Sequence, residues 1–239
     1  MHGATTHPAV GRVRGIAAGP AAVLLAALAF ALTAWMTFRG PGARIDTSVL
    51  DWSKAHRPGW ALHWDEWVVW LGSPVVMPTA LLLVTLIVAR RRRSWELVRS
   101  TVTLLVVLTL GVLITKDVFA RPGPSGHGPG HPMAVGADSP WAFPSGHATT
   151  ALVTWTAGAR LIVGTRSGGR WAATVVGVLV SVALVTGGYH WLTDVLAAWP
   201  FAVLIARLAS GLDTSVQRGD RRAARRESVR APETPTIRI

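Results

Sequence analysis

The sequence contains no cysteine, which excludes disulfides, thiolate metal sites and thiol nucleophiles. Charge is scarce as well: 15% of the 239 residues are Asp, Glu, Lys or Arg, against about 25% in a soluble domain. Lysine is nearly missing, with Lys54 and Lys116 the only two, and acidic residues number 12. In their place stands apolar residue: 50% of the chain is hydrophobic, in long uncharged runs. Such a chain takes the bilayer as its solvent.

A hydrocarbon core of about 30 Å needs roughly 20 apolar residues of helix. Six segments meet or approach that length: Ile16–Phe38, Trp67–Ala89, Val98–Val118, His147–Val163, Trp171–Tyr189 and Trp191–Leu208. The expected fold is all-α, a six-span transmembrane helical bundle over residues 16–208. Residues 1–15 form a cytoplasmic N-terminal segment and 209–239 a basic, disordered cytoplasmic tail. The first span has an apolar run of about 23 residues, longer than the 7–15 of a signal-peptide core, so it is read as a retained anchor.

Six spans sort the basic residues sharply. Of 24 Lys and Arg, 18 fall on the side holding both termini and the Arg90–Arg93 loop. The other six are Arg39, Arg44, Lys54, Arg57, Lys116 and Arg121. The positive-inside rule then places both termini in the cytoplasm. This accounts for the formal charge of +12 without a nucleic-acid partner. The Arg-rich tail is either an inert solvated segment or one attracted to anionic headgroups.

Between the first two spans, Arg39 to Glu66 is rich in Trp, Asp and His, and suits a short interfacial helix with an aromatic belt. Ala120 to Phe143 is rich in Gly and Pro and should be irregular. Its His127 and His131 lack acidic partners, so no metal site is expected there.

Ionisable residues at span ends are expensive and are functional candidates by default. Here they share one face: Lys116 and Asp117 end the third span, His147 begins the fourth, His190 begins the sixth, and Asp194 lies one turn deeper. The i,i+4 spacing stacks His190 and Asp194 on one helical face. The carboxylate could fix the imidazole tautomer and free the other ring nitrogen as a nucleophile, or the pair could merely satisfy itself. Pro144-Ser145-Gly146-His147 reads as a helix start in which Ser145 caps and Gly146 admits an anion close to the backbone. An incidental interfacial histidine fits the same letters. Lys116 can neutralise a phosphate or snorkel outward, and Arg121 offers a fork for phosphate oxygens.

Taken in order, these residues resemble the type 2 phosphatidic acid phosphatase (PAP2) superfamily, whose motifs are K-x6-R-P, P-S-G-H and S-R-x5-H-x3-D. The resemblance spans roughly Ile45 to Ile205 and is most specific at Phe143–Ala148 and Tyr189–Leu196. It implies a PAP2-like bundle in which His190 attacks phosphorus, Asp194 orients it and His147 protonates the leaving group. Lys116, Ser145, the Gly146 amide and Arg121 would hold the phosphate oxygens, with no metal or cofactor. Two positions depart from the pattern: Gly123 stands where the first motif has Arg, and Ala183-Leu184 replace Ser-Arg. The replacement cation is expected among Arg39, Arg44, Lys54, Arg57, the external histidines and Arg121. The implied activity is hydrolysis of an isoprenoid or phosphatidyl lipid phosphate or diphosphate at the outer face. Phosphotransfer, or lipid-phosphate binding without turnover, are the alternatives.

Overall fold

A computed structural model describes residues 19–124, 141–163 and 166–230. Among these the chain is helical: α1 (Pro20–Phe38), α2 (Gly42–His56), α3 (Gly59–Val69), a 3-10 turn (Trp70–Gly72), α4 (Val76–Arg92), α5 (Trp95–Phe119), α6 (Gly146–Val163), α7 (Arg166–Thr186) and α8 (Leu192–Arg230).

The breaks follow local chemistry. Pro20 sits in the first turn of α1, where its missing N–H is not needed. Arg57 precedes Pro58 and is extended, which separates α2 from α3. Arg93 and Ala120 adopt left-handed conformations that close α4 and α5. Gly188, also left-handed, turns the chain between α7 and α8.

Three expectations change. The external segment forms two helices, α2 and α3, rather than one short one, because Pro58 interrupts it. The expected second span is broken at Gly72-Ser73-Pro74, where α3 and α4 meet at a 45° bend. The last helix also runs past Leu208 to Arg230, so helix stands where a disordered tail was expected to begin.

The exterior is apolar. Leu24, Leu28 and Leu32 on α1, Leu110 and Leu113 on α5, and Val178 and Val182 on α7 all project outward. An exposed apolar surface of this extent belongs against lipid. Among the described residues three helices are long and apolar enough to cross a membrane, Pro20–Phe38, Trp95–Phe119 and Leu192–Ser215. The bent α3–α4 pair makes a possible fourth. Thus six spans do not emerge from length and apolarity alone.

The reason lies in α6, the helix that packs on α4, α7 and α8. Half of its residues are buried, including Thr149, Thr150 and Thr154. Thr149 and Thr154 donate to the carbonyls of Ser145 and Thr150, both at 2.7 Å, so neither hydroxyl is left unsatisfied in an apolar medium. Small residues allow close packing: a Cβ at Gly177 on α7 would lie 2.5 Å from Leu152 Cδ2 on α6.

All five phenylalanines form one cluster. Phe30 and Phe38 come from α1, Phe119 from α5 and Phe201 from α8. At the centre is the fully buried Phe143, which meets Phe119 at 4.9 Å between ring centroids and Phe38 at 5.4 Å.

Candidate active site

Three chain segments meet at the end of the bundle where α5 finishes and α6 and α8 begin. The first is the start of α6. Ser145 Oγ accepts the Ala148 N–H at 3.3 Å, as a helix cap does, and the Ser145 N–H donates to the Asp194 carbonyl at 3.0 Å. That second bond ties α6 to α8. The 3-10 turn closes in from the other side: a Cβ at Gly72 would stand 2.5 Å from the His147 carbonyl oxygen, so only glycine fits.

The second segment is the turn between α7 and α8. The N–H groups of Tyr189 and His190 both donate to the Leu184 carbonyl, at 2.9 and 3.1 Å, which winds up the end of α7. This turn carries the His190 ring into the interior, where it is 5% exposed. Nδ1 lies 3.5 Å from Asp194 Oδ2, at the outer limit of a hydrogen bond. Catalytic contacts of this kind are commonly long before substrate arrives. Burial pushes the His190 imidazole below its ordinary range, and Asp194 opposes that shift only in part. The ring is therefore held neutral, as a nucleophile requires.

The third segment is the end of α5 together with the backbone at Trp141 and Ala142. Lys116 donates from Nζ to the Trp141 carbonyl. Its methylene chain lies near Gly146, where an added Cβ would find Cε at 3.5 Å. The His190 ring also hydrogen-bonds to the Ala142 carbonyl. Lys116 lies within electrostatic reach of Asp194 and His190, and His147 within reach of His190 and Lys116. The two imidazoles, the amine and the carboxylate expected from sequence thus come together at one end of the bundle.

Arg121 is brought to the same place but faces elsewhere. Its NH2 donates to Asp46 Oδ2 at 2.6 Å, and its NH1 donates to Asp194 Oδ1 and to Thr193 Oγ1, the latter at 2.8 Å. Its fork is spent on carboxylates, so a phosphate would have to compete with Asp46 and Asp194 for it. Of the other cations expected on the side of the site, Arg57 donates to the Thr186 carbonyl near the end of α7. Leu184, in the place of the motif arginine, is buried in the apolar cluster beneath the site. His127 and His131 lie outside the described residues.

Asp46 and Thr193 escaped the sequence reading. Asp46 Oδ1 accepts the Thr193 N–H at 2.9 Å and Oδ2 accepts its hydroxyl at 2.6 Å. A signal existed: Asp46 lies with Gly42, Leu50 and Ser53 on the buried face of α2, at helical spacing, and a carboxylate on such a stripe demands a partner.

The family model for the PAP2 superfamily matches residues 96–215. No curated protein matches the sequence significantly. Among solved structures, a crystal structure of a transmembrane PAP2-type phosphatidylglycerolphosphate phosphatase from Bacillus subtilis is similar. The TM-score is 0.67 at 20% identity, over 81% of this chain and 96% of that one.

Proposed function

The chain belongs to the PAP2 superfamily, and from that premise we propose that it is an integral membrane lipid phosphatase working through a phosphohistidine. The observation that carries the reading is the buried His190, backed by Asp194 and within reach of both His147 and Lys116.

In this reading the Nδ1 proton stays toward Asp194 and Nε2 attacks phosphorus. The P–O bond to the lipid breaks as the N–P bond forms, and His147 delivers a proton to the departing oxygen. His147 then takes a proton from water, which attacks phosphorus, releases inorganic phosphate and restores His190. Lys116, the Ser145 hydroxyl and the Gly146 amide hold the non-bridging oxygens, and no added metal is called for. Lys116 now spends a hydrogen bond on the Trp141 carbonyl, and a phosphoryl oxygen would take over that donor. Attack needs the His190 proton on Nδ1, the tautomer that frees Nε2 from the Ala142 carbonyl.

We place six spans in the membrane, counting α1, α4, α5, α6, α7 and α8, with residues 16–208 as the membrane domain. The Arg distribution puts both termini in the cytoplasm and the site on the outer face. The substrate is a phosphatidyl or isoprenoid lipid phosphate or diphosphate, its chain lying among the helices. One observation favours a second reading, lipid-phosphate binding or phosphotransfer without hydrolysis: Arg121 is engaged and Leu184 is apolar, so the pocket is poorer in cations than the motif implies.

Detergent-solubilised protein should release phosphate from a panel of lipid phosphates without added metal, and His190→Ala should abolish release. Turnover surviving that substitution would remove His190 as nucleophile. Binding without turnover would establish the second reading, and phosphate appearing on an added alcohol would identify transfer.

A further inference from the structure

We infer that Asp46 is a positioning residue, acting through Arg121 and Thr193 to set Asp194 behind the nucleophile. The inference rests on the proposed phosphohistidine reading and extends it to a helix outside the region the family model matches.

The geometry is a closed arrangement of four side chains. Asp46 is 2% exposed and Asp194 is fully buried, while Arg121 between them is 8% exposed. Arg121 binds one carboxylate through each terminal nitrogen, and its guanidinium lies 5.5 Å from the centre of the Trp191 ring. Thr193 is held by Asp46 through both backbone N–H and hydroxyl. Asp194 is then fixed at both oxygens: Oδ1 by Arg121, Oδ2 by the Trp191 N–H at 3.1 Å, with His190 beyond.

Charge gives the arrangement its purpose. Buried ion pairs contribute little to stability against apolar alternatives, so their retention calls for another reason. Two carboxylates and one guanidinium leave one negative charge over. When Nε2 of a neutral His190 takes the phosphoryl group, the ring keeps its Nδ1 proton and becomes positive. The surplus negative charge faces that cation. Without Asp46, Arg121 would turn its whole charge on Asp194 and cancel the counter-ion the intermediate needs. Asp46 thus shares Arg121, and keeps its fork turned away from the phosphate.

The test is Asp46→Asn, which keeps the shape and removes the charge. In the phosphate-release assay kcat should fall roughly 10- to 100-fold with KM within about threefold. The acid limb of the pH profile should move down by about one unit, since a negative charge near His190 is lost. The other groups facing His190 stay as they are: Lys116 on α5, His147 on α6, Asp194 on α8 and Tyr189 alongside, itself under the influence of Arg57, Asp65 and Glu66. Nitrogen NMR of histidine-labelled protein reads the same shift in the His190 titration without turnover. Asp46→Glu, keeping the charge, should restore the titration. If wild type releases no phosphate the enzymatic reading fails, while the NMR shift still decides whether Asp46 acts on His190. A folded Asp46→Asn protein with unchanged His190 titration overturns the inference, because a purely structural tie would lower the melting temperature and leave that midpoint in place.

Discussion

The two ends of the bundle use the same chemistry differently. At the site end, Arg121 joins Asp46 and Asp194 with side-chain exposures of 10%, 1% and 0%. At the opposite end Arg99 Nε meets Asp213 Oδ1 at 3.3 Å, with exposures of 36% and 17%, and Ser100 donates to Asp213 Oδ2 at 2.7 Å. Both tie α8 to another part of the chain. Exposure decides what each is worth. A pair that solvent still reaches contributes about 0–1 kcal/mol, whereas removing one partner from a dry pair strands charge at about 3–5 kcal/mol. The half-open pair is a fastening, and the dry cluster makes sense only where exact placement of a carboxylate is needed.

Four substitutions would break or sharpen that contrast. The largest effect belongs to Arg121→Met, which leaves two buried carboxylates facing each other and should cost about 3–5 kcal/mol in denaturant unfolding in mild detergent. A loss under about 1 kcal/mol would mean that water reaches the cluster. Next, Gly72→Ala forces a methyl against the His147 carbonyl and should destabilise by about 1–3 kcal/mol. Gly146→Ala meets only ordinary contacts at 3.5 Å and should fold with near-normal stability, so any loss there would read out as weaker phosphate binding. Of the two charge substitutions, Arg99→Gln should have the smaller effect, at or below about 1 kcal/mol by the same unfolding measurement and fading further with salt. A penalty equal to that of Arg121→Met would erase the distinction between the two ends.

The sequence made some of this plain and concealed the rest. Expected spans Val98–Val118 and His147–Val163 correspond to α5 (Trp95–Phe119) and α6 (Gly146–Val163), because a long apolar run and a Ser cap are local signals. The convergence of Lys116, His147, His190 and Asp194 was legible too, since span counting places helix ends on one face or the other. The break before α4 was harder to see: Gly72-Ser73-Pro74 interrupts the helix without interrupting the hydropathy. The fate of Arg121 could not be read at all. Which carboxylate a guanidinium selects depends on contacts 73 and 75 residues away in sequence, and no local pattern encodes them.

The first helix shows how far such long-range contacts reach. By composition α1 is a plain lipid anchor, yet two of its rings rest on Phe143, and the next residues are Pro144 and the Ser145 cap of the helix bearing His147. A displacement of α1 would therefore be felt at the backbone that starts α6. The first helix is thereby coupled, ring against ring, to the start of the helix that bears His147.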